Sequence, residues 1–157
     1  MTATADLIDQ YGDELESCEL QLRSFGQRRS FCGPISTVVC REDNVLIRRT
    51  LEGAGNGGVL VIDGHGSLRT ALLGDQLAEL GRSNGWSGVG VHGAIRDSAV
   101  IDELDFGVKA LGTNPRKSAK NGVGETDVML SFGGAVFRPG HWLYSDPDGI
   151  VVASREL

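Results

Sequence analysis

The arrangement of this chain turns on the stretch GDQLAELGRSNGWSGVGVHGAIRD, residues 74–97. It follows an apolar run at residues 68–73, carries Leu77, Ala78 and Leu80 at helical spacing, turns at Ser83-Asn84-Gly85, and alternates through Val89 and Val91 before ending in Arg96-Asp97. That pattern predicts a β-α-β crossover. Two strands joined by a helix of this length are parallel, so the helix carries the chain back along the sheet and the second strand brings it forward again. The start of the helix and the end of the second strand then emerge at the same carboxyl-end edge, where open α/β sheets bind their ligands.

Several chemically useful groups converge at that edge. The backbone N–H groups of Gly74, Asp75, Gln76 and Leu77 sit at a helix N-terminus, where unpaired donors and the helix dipole favour a bound anion. Arg96 can bind a carboxylate in a planar, two-pronged fashion, and the carboxylates of Asp75 and Asp97 can hold a hard cation. An arginine beside a cation-binding carboxylate is what 2-oxo acid chemistry requires.

The rest of the chain reads as a frame for this unit. Residues 3–11 place Leu7, Ile8 and Tyr11 at helical spacing. Residues 30–40 carry the β-branched density of a strand, with Ile35, Val38 and Val39 after Gly33-Pro34. Asp43 is the expected N-cap of a helix bearing Val45, Leu46, Ile47 and Leu51 that stops near Gly53. VLVID, residues 59–63, is the most continuous apolar strand, and residues 68–73 form the strand that enters the crossover. Beyond Asp97, SAVIDELDF predicts a short helix with Val100, Ile101 and Leu104 inward, and FGVKALG a returning strand. TNPRKSAKNGVGET reads as an exposed polar loop. From residue 127 onward, Gly-Gly, Pro-Gly and Asp-Pro-Asp-Gly turns separate three or four short strands. Parallel crossovers followed by turn-linked strands predict a layered α/β domain rather than a doubly wound nucleotide binder.

Composition narrows the function classes. A length of 157 residues suits a single domain, residues 1–157, with a substantial core. The net charge of −6 argues against a nucleic-acid surface, and the short basic pairs Arg28-Arg29, Arg48-Arg49 and Arg116-Lys117 read as solvated. No apolar stretch is long enough to span a bilayer and the N-terminus is acidic, so no membrane association and a cytoplasmic location are expected. Three cysteines, Cys18, Cys32 and Cys40, have neither CxxC spacing nor an even count, and are expected to be buried reduced thiols.

Other motifs are weaker. GVGVHG, residues 88–93, matches GxGxxG, but its glycines fall within a strand rather than opening a helix, so close packing or ligand approach explains them better than a dinucleotide. His65, His92 and His141 lack HxH or HxxxH spacing and suggest three unrelated local roles. Lys109 could form a Schiff base if buried with a lowered pKa, although a strand lysine more often points to solvent. No GxSxG elbow supports a Ser-His-Asp triad.

The spacing of Asp75, Arg96 and Asp97, preceded by GGVLVIDGHGSLRTALLGDQLA and followed by RPGHWLYSDPDGIVV, resembles the class II 4-hydroxy-4-methyl-2-oxoglutarate aldolases. That family also contains the regulator of ribonuclease E activity A. The similarity runs over nearly the whole chain. It implies a swivelling β/β/α layered domain that assembles as a homotrimeric ring with active sites between subunits. It further implies that the loop Gly74, Asp75, Gln76 and Leu77 and Arg96 bind a 2-oxo acid, with Arg96 and Asp75 catalytic, and that Asp97 holds Mg²⁺ or Mn²⁺. The activity implied is cleavage of 4-hydroxy-4-methyl-2-oxoglutarate to two pyruvates through a pyruvate enolate, with oxaloacetate decarboxylation alongside. The regulator branch implies an alternative, a non-enzymatic inhibitor of a ribonuclease. Longer aldolases of the family contribute an acidic residue from a neighbouring subunit's C-terminal helix; Glu156 is too near the end of this chain to be assigned that role, so enolate formation is implied more directly than aldol cleavage.

Overall fold

VLVID is apolar at successive positions because it is an inner strand covered on both faces. Leu60 and Ile62 face a layer of helices, while Val59 and Val61 face a second core on the opposite side. The computed structural model describes residues 1–157. In chain order it comprises α1 (Thr4–Tyr11), a 3₁₀ turn (Gly12–Glu14), β1 (Glu16–Ser17), β2 (Arg23–Phe25), β3 (Phe31–Val39), α2 (Val45–Glu52), β4 (Val59–Asp63), β5 (Ala71–Leu73), α3 (Asp75–Ser83), β6 (Gly88–Ile95), α4 (Ser98–Ile101), β7 (Gly107–Thr113), β8 (Glu125–Thr126), β9 (Leu130–Phe132), β10 (Ala135–Phe137), β11 (Trp142–Asp146) and β12 (Gly149–Ala153).

Ten of the strands form one curled mixed sheet in the order β1-β12-β11-β3-β4-β6-β7-β2, with β5 added beside β6 and β8 beside β3; β9 and β10 form a separate hairpin. The stretch β3-β4-β6-β7 is parallel, and α2 and α3 provide two of its crossovers on one face. Ile47 and Leu51 of α2 and Leu77 and Ala78 of α3 pack there with Val89, Val91, Phe106 and Val108. Each fully buried large apolar side chain contributes about 1.5–3 kcal/mol relative to exposure. The other face of the sheet closes on the β9-β10 hairpin through Phe31, Ile35, Leu130, Phe132 and Phe137. A mixed α/β domain with helices on one side and a second β layer on the other is the expected architecture.

The crossover also forms as expected, with a shorter entry strand. Only Ala71–Leu73 is extended, while Leu68 lies on the surface. β4 pairs with the first half of β6, Val59 opposite Gly88 through Asp63 opposite His92, and β5 then takes over along the same edge, pairing Ala71 with Ala94 and Leu73 with Ile95. This substitution of one short strand for another sets Gly74 beside Arg96.

The glycines of GVGVHG lie inside β6 and none opens a helix. Gly88 packs beneath the Phe31 ring, where a Cβ would approach Cδ2 at 2.6 Å. Close packing thus accounts for that position.

Several local expectations need correction. Val100 is 48% exposed rather than inward, because α4 is a single turn that buries only Ile101 and then gives way to bends. Asn44, not Asp43, occupies the N-cap position of α2, although an Asp43 oxygen still accepts the N–H of Val45 at 3.1 Å. The segment 113–126 is exposed over much of its length, but it is anchored and ends in the edge strand β8. Lys109 is 2% exposed rather than solvent-facing, and burial pushes its ammonium pKa down. His65 and His92 are not unrelated: Asp63 accepts the His65 amide at 2.9 Å and pairs with His92 Nδ1 at 2.9 Å, and His92 stacks on Phe132. The three cysteines are free thiols as expected, but only Cys40 is buried; Cys18 and Cys32 are half-buried.

Candidate active site

The carboxyl ends of β5 and β6 deliver their following residues to one point. Arg96 N–H donates to the Leu73 carbonyl at 3.0 Å, and Asn114 N–H donates to the Ile95 carbonyl at 3.0 Å, so the end of β6 is held from both sides. The chain leaves this clamp through Asp97 in the left-handed conformation, φ 57° and ψ 37°. A non-glycine residue in that region carries a backbone cost that the surroundings must hold in place. The turn brings the Asp97 carboxylate back over the start of α3.

Three features meet there. Asp97 Oδ2 lies 3.5 Å from the Asp75 amide nitrogen and 3.9 Å from Arg96 Nε. A Cβ on Gly74 would stand 2.9 Å from the same oxygen and 3.4 Å from Arg96 Cγ. Gly74 has ordinary extended backbone, so its lack of a side chain matters through this close approach and not through its torsions. Gln76 and Leu77 complete the first turn of α3, where amides have no helical carbonyl to pair with. The Leu77 side chain is buried in the core, leaving its amide as the group it can offer the site.

These groups line a cleft of about 170 Å³ that contains Gly74, Asp75, Gln76, Leu77, Arg96 and Asp97 together. All the site residues expected from the sequence are therefore brought to one place. Arg48 of α2 and Lys117, Ser118 and Lys120 of the loop after β7 also line it. Reading the basic pairs as merely solvated missed Arg48 and Lys117: both are exposed, but they border this cleft. Their only local signal was charge, which does not reveal which surface a side chain borders.

A buried carboxylate organises that loop. Asp43, 2% exposed, accepts the N–H groups of Asn121 at 2.6 Å and Gly122 at 3.1 Å in addition to that of Val45. Burial works to raise its pKa, but the backbone donors outweigh burial and hold the carboxyl below its usual range. The other end of the loop is tied down by Ala71 N–H to the Arg116 carbonyl at 2.7 Å and by Ser118 Oγ to the Ala71 carbonyl at 2.7 Å.

The donor set suits a hard cation. Asp97 Oδ1 makes no hydrogen bond, and the side chain, 42% exposed, opens onto the cleft. No three His, Cys, Asp or Glu side chains converge anywhere to form a ready-made metal cage. A magnesium or manganese ion bound through Asp97 would therefore take most of its oxygen ligands from water and a chelating ligand, as Mg²⁺ commonly does. Glu156 borders a separate apolar groove with Met1, Trp142 and Tyr144, and does not line the cleft.

The curled sheet, with an arginine, two carboxylates and a helix N-terminus around one cleft at its carboxyl edge, makes this a single-domain mixed α/β protein of the RraA fold. The chain belongs to the RraA-like family, Aldolase/RraA, whose model matches residues 4–152. It is 53% identical to a Geobacillus kaustophilus protein described as an S-adenosylmethionine:2-dimethylmenaquinone methyltransferase, with a TM-score of 0.98 over 99% of this chain and 97% of the other. It is 44% identical to the RNA-processing inhibitor RraA from Thermus thermophilis, with a TM-score of 0.97 over 100% and 95% of the two chains. Streptomyces coelicolor RraAS2, from the RNase ES inhibitor RraA protein family, is 29% identical, with a TM-score of 0.76 over 96% and 77%. No helix is long and apolar enough to cross a membrane.

Proposed function

We propose that the protein is a divalent-metal-dependent lyase acting on small 2-oxo acids, cleaving 4-hydroxy-4-methyl-2-oxoglutarate to two pyruvates and decarboxylating oxaloacetate. The observation that carries this reading is the meeting of Arg96, Asp97, Asp75 and the α3 N-terminus within one small cationic cleft. Within one chain the cleft has a volume of about 170 Å³, which accommodates a small carboxylate-bearing metabolite.

In this reading the amides of Gln76 and Leu77 hold the substrate carboxylate and Arg96 faces the 2-oxo group. Asp97 would hold a magnesium or manganese ion, which when bound would supply Lewis-acid stabilisation of the negative charge that develops on the substrate. As oxaloacetate loses carbon dioxide, the bonding electrons pass to the pyruvate enolate, and Arg96 counters its charge. For the aldol substrate, a base oriented by Asp75 removes the hydroxyl proton, and the carbon–carbon bond breaks to leave pyruvate and the same enolate. Protonation of the enolate yields pyruvate. The active assembly is a homotrimer with its sites between subunits.

The test is pyruvate release from both substrates by purified protein with Mg²⁺ or Mn²⁺. Arg96→Ala is expected to lower the rate about 10²–10³-fold, the usual cost of removing a group that stabilises developing charge. No release above the metal-only background, with Arg96→Ala indistinguishable from the parent, would overturn the reading.

A second reading is inhibition of a ribonuclease by direct contact. The 44% identity to the Thermus inhibitor supports it, and the net charge of −6 suits a basic partner. Pull-down at low salt and an RNA-cleavage assay separate it from catalysis, because Arg96→Ala should leave an inhibitory surface elsewhere intact.

A further inference from the structure

Of the three lysines in the chain, Lys117 and Lys120 are exposed at the cleft, whereas Lys109 is 2% exposed in the middle of β7. It makes no ion pair within 4 Å. A buried ammonium without a counter-charge is unfavourable, and the group escapes the penalty by giving up its proton. Burial pushes the Lys109 pKa down; Asp146 and Asp148 oppose this, while the charge of Arg29 adds to it. Arg29 is held nearby, donating to the Ser24 carbonyl at 2.7 Å, and Ser24 is the β2 partner of Lys109.

The strand register shows what faces the amine. Val89 and Val91 of β6 and Val108 and Ala110 of β7 belong to the core beneath the helices, so Gly88, Gly90, Gly107 and Lys109 look to the opposite face, into the interior of the curl. Along that face the Phe31 ring fills the space over Gly88 and Gly107. Farther along β6, the Phe132 ring stacks on His92 with centroids 4.6 Å apart. Gly90 lies between these two points, level with Lys109 on one side and Val61 on the other. A Cβ at Gly90 meets nothing within 4 Å, yet Gly90 is buried. A buried position with open space above it borders an enclosed gap, here floored by glycine, flanked by aromatic rings and placed beside an amine. Ser145, opposite Phe31 across the β3-β11 pair and two positions from Leu143 of the same interior, is fully buried, and its Oγ has no hydrogen-bond partner. That interior therefore holds an unpaired hydroxyl as well as an unpaired amine.

We propose that Lys109 is a covalent capture site for small neutral carbonyl compounds, which enter the gap over Gly90 and condense with Nζ to form an imine. The Nζ lone pair attacks the carbonyl carbon, the carbonyl π electrons move to oxygen, and a proton passes from the nitrogen to that oxygen to give a carbinolamine. The nitrogen lone pair then expels the hydroxyl, which leaves as water with the second nitrogen proton. One amine and one carbonyl compound thus yield one imine and one water, with no change of oxidation state. A lysine that is desolvated and set near a second cation is nucleophilic close to neutral pH. The apolar surroundings of Phe31 and Val61 favour an uncharged compound over a carboxylate, which separates this site in ligand class from the cleft.

The test is labelling of the purified protein with acetaldehyde and sodium cyanoborohydride, whose hydride converts the imine to a stable ethylamine, followed by peptide mass mapping. At pH 6.5, where ordinary lysines with pKa near 10.4 are protonated, Lys109 should label at least about tenfold faster than Lys117 and Lys120. In denaturing urea the three should label alike. Gly90→Ala and Gly90→Val narrow the gap without altering the amine, and should slow Lys109 labelling by about two- and fivefold while leaving Lys117 and Lys120 unchanged. Circular dichroism checks that each variant is folded; if valine is not tolerated, the alanine variant decides. Labelling of Lys109 no faster than that of the two exposed lysines, or an unchanged rate in the folded Gly90 variants, would overturn the site.

Discussion

The Asp75 amide nitrogen and Asp97 Oδ2 stand 3.5 Å apart, although 22 positions separate the two residues in the chain. Their approach couples the first turn of α3 to the exit from β6, so the geometry of the helix N-terminus and of the carboxylate is set as one unit. Asp97 reaches across only because the residue beneath it has no side chain.

Gly74→Ala should therefore disable the site while sparing the fold. The new Cβ would lie 2.9 Å from Asp97 Oδ2 and must displace the carboxylate, but the backbone at residue 74 is extended and accepts alanine. Misplacement of a catalytic group by about 1 Å can cost about 10²-fold in rate, and pyruvate release should fall by that order. Far-ultraviolet circular dichroism should be unchanged; a substitution that left the rate within twofold would contradict the assigned geometry.

Asp97→Asn isolates charge from shape. Asparagine tolerates the left-handed conformation that residue 97 adopts, so the melting temperature should move by no more than about 2 °C. Metal-dependent activity should fall at least about tenfold because the neutral amide is a poor ligand for a hard cation. Titration with Mn²⁺ followed by electron paramagnetic resonance reads the binding loss independently of turnover.

Two glycines in the same strand should respond oppositely. Gly88 lies under the Phe31 ring, so Gly88→Ala overpacks the core and should cost about 1–3 kcal/mol. A Cβ at Gly90 meets nothing within 4 Å, and Gly90→Ala should be neutral or stabilising by up to about 1 kcal/mol through the less flexible unfolded chain. Urea denaturation of the pair checks the contrast, and equal destabilisation would disprove it.

Asp43→Asn tests the anchoring of the loop that carries Lys117 and Lys120. The carboxyl is held below its ordinary pKa, so its stabilising contribution is fully present above the unfolded value near pH 3.9 and is lost as the pH falls through the lower folded value. The variant should be destabilised by about 1–3 kcal/mol at pH 7, and the difference from the parent should shrink below about pH 4. Thermal unfolding from pH 7 to pH 3 measures both. A constant gap across that range would assign the loss to packing instead.

Local pattern carried far into the site. The helical spacing of Leu77, Ala78 and Leu80 and the alternation at Val89 and Val91 specified the crossover, since periodicity reports which face of an element is buried. A parallel crossover returns the chain to the same edge, so Asp75, Arg96 and Asp97 could be placed together from order alone. The burial of Lys109 and the exposure of Val100 could not, because each depends on which other elements cover that position. The cationic side of the cleft also lay beyond sequence reading: Arg48 and Lys117 are separated by 69 positions and meet at one cleft because α2 and the anchored loop pack beside the same strand ends. Sequence by itself determined the crossover and the groups at its rim, through short-range periodicity and fixed handedness. Tertiary structure alone decided which distant cations complete the cleft, because that choice is made by sheet order and by a few long-range hydrogen bonds, of which those to Asp43 are the most consequential.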